Sequence, residues 1–141
     1  VKTVSTLIRL AKLEVDNRRR LLADLLEQDA AFDRAIDRLD GEVAAERQKA
    51  RDNPEYGAGY AAYSKHAANR RKALVDRKAA LAVDIDAARG RLAEAFEEQK
   101  KYEITADRQE EAETAEENKR EQLDLDELGL QSHARRGDRN G

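Results

Sequence analysis

Arg51-Asp52-Asn53-Pro54-Glu55-Tyr56-Gly57-Ala58-Gly59 holds the chain's single proline, preceded by an asparagine and followed by two glycines. Proline lacks a backbone N–H and pushes the residue before it out of the helical region. Asn-Pro followed by glycine is turn chemistry, and no other stretch before the C-terminus is as dense in it. On either side of this break the apolar residues recur at alternating steps of three and four.

Upstream the stripe runs Val4, Ile8, Ala11, Val15, Arg18, Leu22, Leu25, Asp29, Phe32, Ile36, Leu39, Val43, Glu46, Ala50. This is the seam of a coiled-coil helix, interrupted at Arg18, Asp29 and Glu46. Polar residues in a seam cost stability and can set register or partner choice. Gly41 does not end this helix, because Leu39 to Val43 keeps the stripe in phase across it. Downstream the stripe runs Tyr60, Ser64, Ala67, Arg71, Leu74, Lys78, Leu81, Ile85, Ala88, Leu92, Ala95, Gln99, Tyr102, Ala106, Gln109, and Gly90 again falls between in-phase residues. A turn of under ten residues forces two such helices to lie adjacent and antiparallel. The expected fold is therefore all-α, an antiparallel two-helix coiled coil forming one long helical hairpin. Its helices span residues 3–51 and 59–128, with a turn at 52–58. Residues 1–131 make one domain, Gly129 reads as a helix exit, and 132–141 read as a disordered tail.

Composition supports this shape and excludes others. Of 141 residues, 40% are charged and 40% hydrophobic, but 25 are alanine and only six aromatic. Such a chain lacks the bulky side chains that fill a globular core, and the β-branched and aromatic residues that make sheets. No apolar run approaches the ~20 residues of a membrane span. Residues 1–13 are broken by Lys2, Arg9 and Lys12, so they lack a signal peptide's apolar core. The absence of cysteine excludes disulfides and thiolate metal sites and fits a reducing compartment. A soluble cytoplasmic protein is expected.

The net charge of −3 is unevenly spread. Residues 1–50 are balanced, residues 51–102 carry eleven bases and eight acids, and residues 103–141 carry six and twelve. Lys65, Arg70, Arg71, Lys72, Arg77 and Lys78 are opposed locally only by Asp76. They either pair with acids on the first helix or form a docking patch for an acidic protein surface. Nucleic acid is not expected, since the aromatics sit beside the turn rather than among the basic residues. Tyr56, Tyr60 and Tyr63 either cap the open end of the coiled coil or form an exposed aromatic anchor. Leu123, Leu125, Leu128 and Leu130 either fold back on residues 4–10 or form a recognition element for a partner groove. Catalysis, cofactors and metals find no support. His66 and His133 are isolated, the acids have no pocket that would separate their pKa values, and Gly57-Ala58-Gly59 lacks the context of a phosphate loop.

Four short motifs add a family likeness. They are the opening Leu7-Ile8-Arg9-Leu10-Ala11-Lys12-Leu13-Glu14, the pair in Gly59-Tyr60-Ala61-Ala62-Tyr63, the stretch Gln99-Lys100-Lys101-Tyr102-Glu103-Ile104 with Asp107-Arg108 after it, and the close Glu121-Gln122-Leu123-Asp124-Leu125-Asp126-Glu127-Leu128. Together they resemble the flagellar export protein FliJ family, soluble components of the type III export apparatus. The resemblance implies a coiled coil similar to the central stalk of rotary ATPases, without enzymatic activity. It implies binding to the export ATPase hexamer in its pore, to the cytoplasmic domain of the export gate protein, and to chaperones of late flagellar substrates. It implies a cytoplasmic location, peripheral to the inner-membrane export apparatus through these partners only, and a role in motility. The family's gate-binding positions fall on Tyr63, on Ala67 in place of a leucine, and on Arg70 in place of a small residue. That last departure moves the contact toward charge. With Tyr56, Tyr60, Arg71, Leu123, Leu125 and Leu128, these residues make up the expected protein-binding set. Two rival readings are a stalk or chaperone of a related virulence export system and a self-assembling structural coiled coil.

Overall fold

The computed structural model describes residues 3–139. It consists of helix α1, Val4–Asp52, a 3-10 turn at Pro54–Tyr56, and helix α2, Gly57–Arg139. The two long helices pack against each other and no strand is present among the described residues, so the fold is the all-α helical hairpin expected. The chain divides into two compact units, one of Lys12–Phe96 and one of Val1–Ala11 with Glu97–Gly141.

The unit Lys12–Phe96 contains the turn. Asn53 takes an extended conformation (φ −131°, ψ 95°), as the residue before a proline must. Its N–H still closes the last turn of α1 on Lys49 O at 3.0 Å, and Tyr56 N–H bonds back to Asn53 O at 3.0 Å. Lys49 and Arg51 in the last turn of α1 complement its dipole. The break is shorter than the expected 52–58. Gly57 is already α-helical (φ −58°, ψ −44°), because these glycines are needed for no left-handed backbone.

Within this unit the α1 stripe packs as spaced. Val15 and Leu39 are 3% and 4% exposed, and every other seam position from Arg18 to Ala50 is at least half-buried. On α2, Ala67, Leu81, Ile85 and Ala95 are buried. Of the polar intrusions, Asp29 meets Lys78 across the hairpin, whereas Arg18 and Glu46 pair with Glu14 and Lys49 of their own helix. Lys78 Nζ lies 3.3 Å from Asp29 Oδ1 and 3.5 Å from Asp33 Oδ1. Arg71 Nε donates to Asp40 Oδ1 at 2.9 Å. Arg71, expected in the seam, stands exposed at its edge, where its long side chain reaches across.

In the other unit, Thr3 caps α1, its Oγ1 accepting from Thr6 N–H at 3.3 Å. Val4, Ile8 and Ala11 are buried or half-buried on α1, and Gln99, Tyr102 and Ala106 on α2. Beyond them the seam ends. From Asp107 to Gly137 every residue is exposed, a stretch of about 45 Å at ~1.5 Å per residue. The helix does not exit at Gly129 or stop at 128. It runs on to Arg139, through residues 132–139 where the sequence reading places a disordered tail, and residues 140–141 lie outside the described residues. Gly129 has no left-handed φ, so the C-cap geometry is absent there.

Gly41 and Gly90 sit inside helices, and a Cβ on either would meet nothing within 4 Å. Gly41→Ala and Gly90→Ala are each expected to raise stability by roughly 0.5–1 kcal/mol, through the lower entropy of the unfolded chain. Urea unfolding followed by circular dichroism tests this, and a lower midpoint in either variant contradicts it. A second expectation concerns Lys78, whose pKa is raised by its hydrogen bond to Asp29 and the charges of Asp29 and Asp33. A raised basic pKa stabilises the fold fully below the unfolded value of ~10.4 and is lost as pH climbs through the folded value. The stability gap between the wild type and Lys78→Gln should therefore hold constant up to about pH 10 and close above it. A gap that widens there would refute the pairing.

Candidate protein-docking site

The tyrosines at the turn separate into two kinds. Tyr56, in the 3-10 turn, is 60% exposed, whereas Tyr60 and Tyr63, on the first turns of α2, are half-buried. The α-helical start at Gly57 puts Tyr60 and Tyr63 on the side that faces α1. Tyr60's hydroxyl accepts a hydrogen bond from Arg47 Nε across the hairpin at 3.1 Å. That bond holds the Tyr60 phenol below its ordinary pKa and raises that of Arg47. Together with Glu46, Lys49, Asn53 and Gly59, the three tyrosines line a groove of about 440 Å³. Tyr60 closes the end of the coiled coil, and Tyr56 stands out from it. Arg47 was not singled out by the sequence, and its only signal was a base six residues before the break.

The segment past the turn is divided in the same way. Ala67 is 3% exposed and belongs to the seam, so its side chain is not available to a partner. Arg70, three residues on, is exposed. Of the basic cluster, Arg71 and Lys78 pair with α1, and Lys72 pairs with Asp76 one turn along at 3.6 Å. Lys65, Arg70 and Arg77 remain on the surface.

Leu123, Leu125, Leu128 and Leu130 are 58%, 62%, 61% and 72% exposed, so they do not fold back on residues 4–10. They do not share one face either. At ~100° per residue, Leu123 and Leu130 lie together, and Leu125 and Leu128 stand about 140–200° around the helix from them. The surrounding surface, residues 107–127, carries ten acids and three bases.

A further surface had no sequence motif to announce it. Leu21, which is 52% exposed, and Leu25 of α1 form, with Ala87 and Ala88 of α2, the floor of a groove of about 380 Å³. Arg18, Asp24 and Gln28 stand on one side of it and Asp84 and Arg91 on the other. A weak second stripe beside the α1 seam, Leu13 and Leu21, was the available clue. Among the described residues no group of His, Asp and Glu could hold a metal ion, and no helix is long and apolar enough to cross a membrane.

Comparison with known proteins agrees with the motifs. A family model described as "Flagellar FliJ protein" matches residues 2–138. Two relatives of that name, from Caulobacter vibrioides strains NA1000 / CB15N and ATCC 19089 / CIP 103742 / CB 15, are each 29% identical to this chain over 133 residues. The matches cover 94% of this chain and 96% of each relative. No solved structure matches the chain.

The Arg47–Tyr60 bond yields a spectroscopic expectation. In an alkaline titration followed by phenolate absorbance, Tyr60 ionises below the ordinary tyrosine value, and Tyr102, beside Glu98, ionises above it. Arg47→Gln should move the early component upward, and Tyr60→Phe should delete it. An unchanged early component in Tyr60→Phe would assign it to another residue.

Proposed function

This chain belongs to the flagellar FliJ family, and on that premise we propose that it is a non-enzymatic stalk which binds the export ATPase hexamer through its free helical segment and meets the export gate and substrate chaperones near its turn. Membership makes the chain a component of the flagellar protein-export apparatus.

The observation that carries this reading is the segment 107–137, exposed on all sides, with leucines on opposite faces. A helix that docks in a single groove needs one apolar face. Leucines on both faces are covered together only when the partner surrounds the helix, as the pore of a ring does. The ten acids of residues 107–127 suit a pore lined with basic groups. At the turn, exposed Tyr56 beside the tyrosine-lined groove has the composition of an interface anchor. With Ala67 committed to the seam, Tyr63 and Arg70 are the positions past the turn that the gate domain would meet. The protein would work in the cytoplasm, held at the inner membrane through these partners.

Titrating the chain into its cognate export ATPase should raise the hydrolysis rate and favour rings. Leu125→Glu with Leu128→Glu should lower that stimulation roughly tenfold or more, as expected for buried anchors of an interface. Tyr56→Ala should leave stimulation intact and weaken binding to the gate domain. Absence of binding and of stimulation at micromolar concentration would sink the proposal.

A further inference from the structure

The groove between Leu21 and Ala87 has an unusual distribution of charge. In the antiparallel register set by Lys78 with Asp29 and Asp33, and by Arg71 with Asp40, Arg18 stands level with Arg91, and Asp24 level with Asp84. Like charges thus face each other across an apolar floor, and neither wall neutralises the other. On α2 the pattern extends by one more heptad. Arg77, Asp84 and Arg91 recur every seven residues, which keeps them on one side of the helix with only ~20° of drift per step. All three are exposed, and among the described residues none makes an ion pair. Among the described residues Arg18 pairs only with Glu14 of its own helix, at 2.7 Å.

The complementary stripe is present in the same sequence. On the free segment of α2, Glu113, Arg120 and Glu127 also recur every seven residues, with Leu123 between the last two. These residues are exposed, and Leu123 is 58% exposed. Glu113 and Glu127 make no ion pair among the described residues, and Arg120 holds only the surface pair with Glu116 at 3.3 Å. Acid–base–acid on the segment complements base–acid–base along α2, where Asp84 and Arg91 line the groove and Arg77 lies one heptad beyond it, at the same spacing of about 10 Å between successive charges at ~1.5 Å per residue. Both stripes belong to helix α2.

We propose that a second copy of this chain occupies the groove. Its segment 113–130 lies along the groove parallel to α2, with Glu113 at Arg77, Arg120 between Asp24 and Asp84, and Glu127 between Arg18 and Arg91. Leu123 then covers Leu21 and Ala87. The inserted charges relieve the like-charge pairs across the groove, and Leu123 excludes water between them. The inference does not rest on the ATPase reading: the groove covers only the Leu123 face and leaves Leu125 and Leu128 uncovered, so self-association and enclosure by a ring are alternative states of one segment.

Sedimentation equilibrium of the full chain tests it. The average mass should rise above 15.9 kDa between micromolar and near-millimolar concentration. It should return to the monomer value in ~1 M salt, where the screening length is ~3 Å. Arg77→Glu with Arg91→Glu, and separately Glu113→Lys with Glu127→Lys, should each weaken self-association about tenfold or more. All four positions are exposed, so circular dichroism should be unchanged. Mixing the two double variants should restore a complex, since each then offers what the other lacks. A monomer at every concentration overturns the proposal and gives the groove to a helix of another protein. Self-association that ignores both charge reversals overturns it in favour of a different surface.

Discussion

Lys78, a charged residue at a seam position, sets which part of α2 lies opposite which part of α1. Its ammonium sits between Asp29, itself in the seam, and Asp33 one turn on. A seam of alanine, leucine and valine specifies that two helices pack but constrains only weakly where along each other they stop. A slip of one heptad one way would place Lys78 opposite Leu22 and Leu26, which offer it no carboxylate, and a slip the other way would place Asp29 opposite Ile85. Lys78 and Asp29 are partly exposed, at 36% and 27% of their side chains, so the pairing needs little desolvation and its contribution lies more in register than in bulk stability. Arg71 with Asp40 and Arg47 with Tyr60 repeat the same register toward the turn. Asn53 and Pro54 then have only to break the helix once, because the register leaves few residues for a loop.

The segment beyond Ala106 is helical for a different reason. Its residues 107–137 are exposed all round, so it depends on local terms. Residues 107–128 contain no glycine or proline, and they are rich in Glu, Ala, Gln, Arg and Leu, which favour helix. Arg120 with Glu116 and Gln122 with Asp126 add one-turn contacts at 3.3 and 3.1 Å. Such pairs are each worth only a few tenths of a kcal/mol. A helix held by terms this small keeps its whole circumference available, which suits a segment that is to be enclosed by a partner.

What the sequence made legible was whatever is written as period. The α1 stripe is buried or half-buried at each position named from it, including the charged ones, because a heptad phase held across Gly41 admits one solution. The fold class and the place of the turn follow from that phase and from one proline. Periodicity could not give the turn's exact length, since glycine accepts helical geometry as readily as it accepts a turn. Gly129 illustrates the same ambiguity. The docking residues were less legible because several came from family likeness alone. Ala67 was at once a seam position and an expected contact, and packing decides that conflict: a side chain 3% exposed cannot also meet a partner. The leucines at 123–130 looked like one cluster because they are close in sequence, but two residues along a helix is more than half a turn around it.

Charge was the feature whose meaning changed most between sequence and structure. In the linear chain, Arg77 and Lys78 are neighbours in one basic cluster. On the helix they face about 100° apart, and that angle separates two uses. Lys78 turns inward, is neutralised by α1, and belongs to the fold. Arg77 turns outward and opens a stripe that continues through Asp84 and Arg91, each one residue before a seam position. Net charge cannot detect this distinction, because a stripe of alternating sign sums to almost nothing. Lys78 and Asp29 are satisfied by the hairpin that they align. Those beside the seam keep their sign, their spacing and their exposure, and for a helix this poor in bulky apolar residues they are the remaining means of choosing a partner.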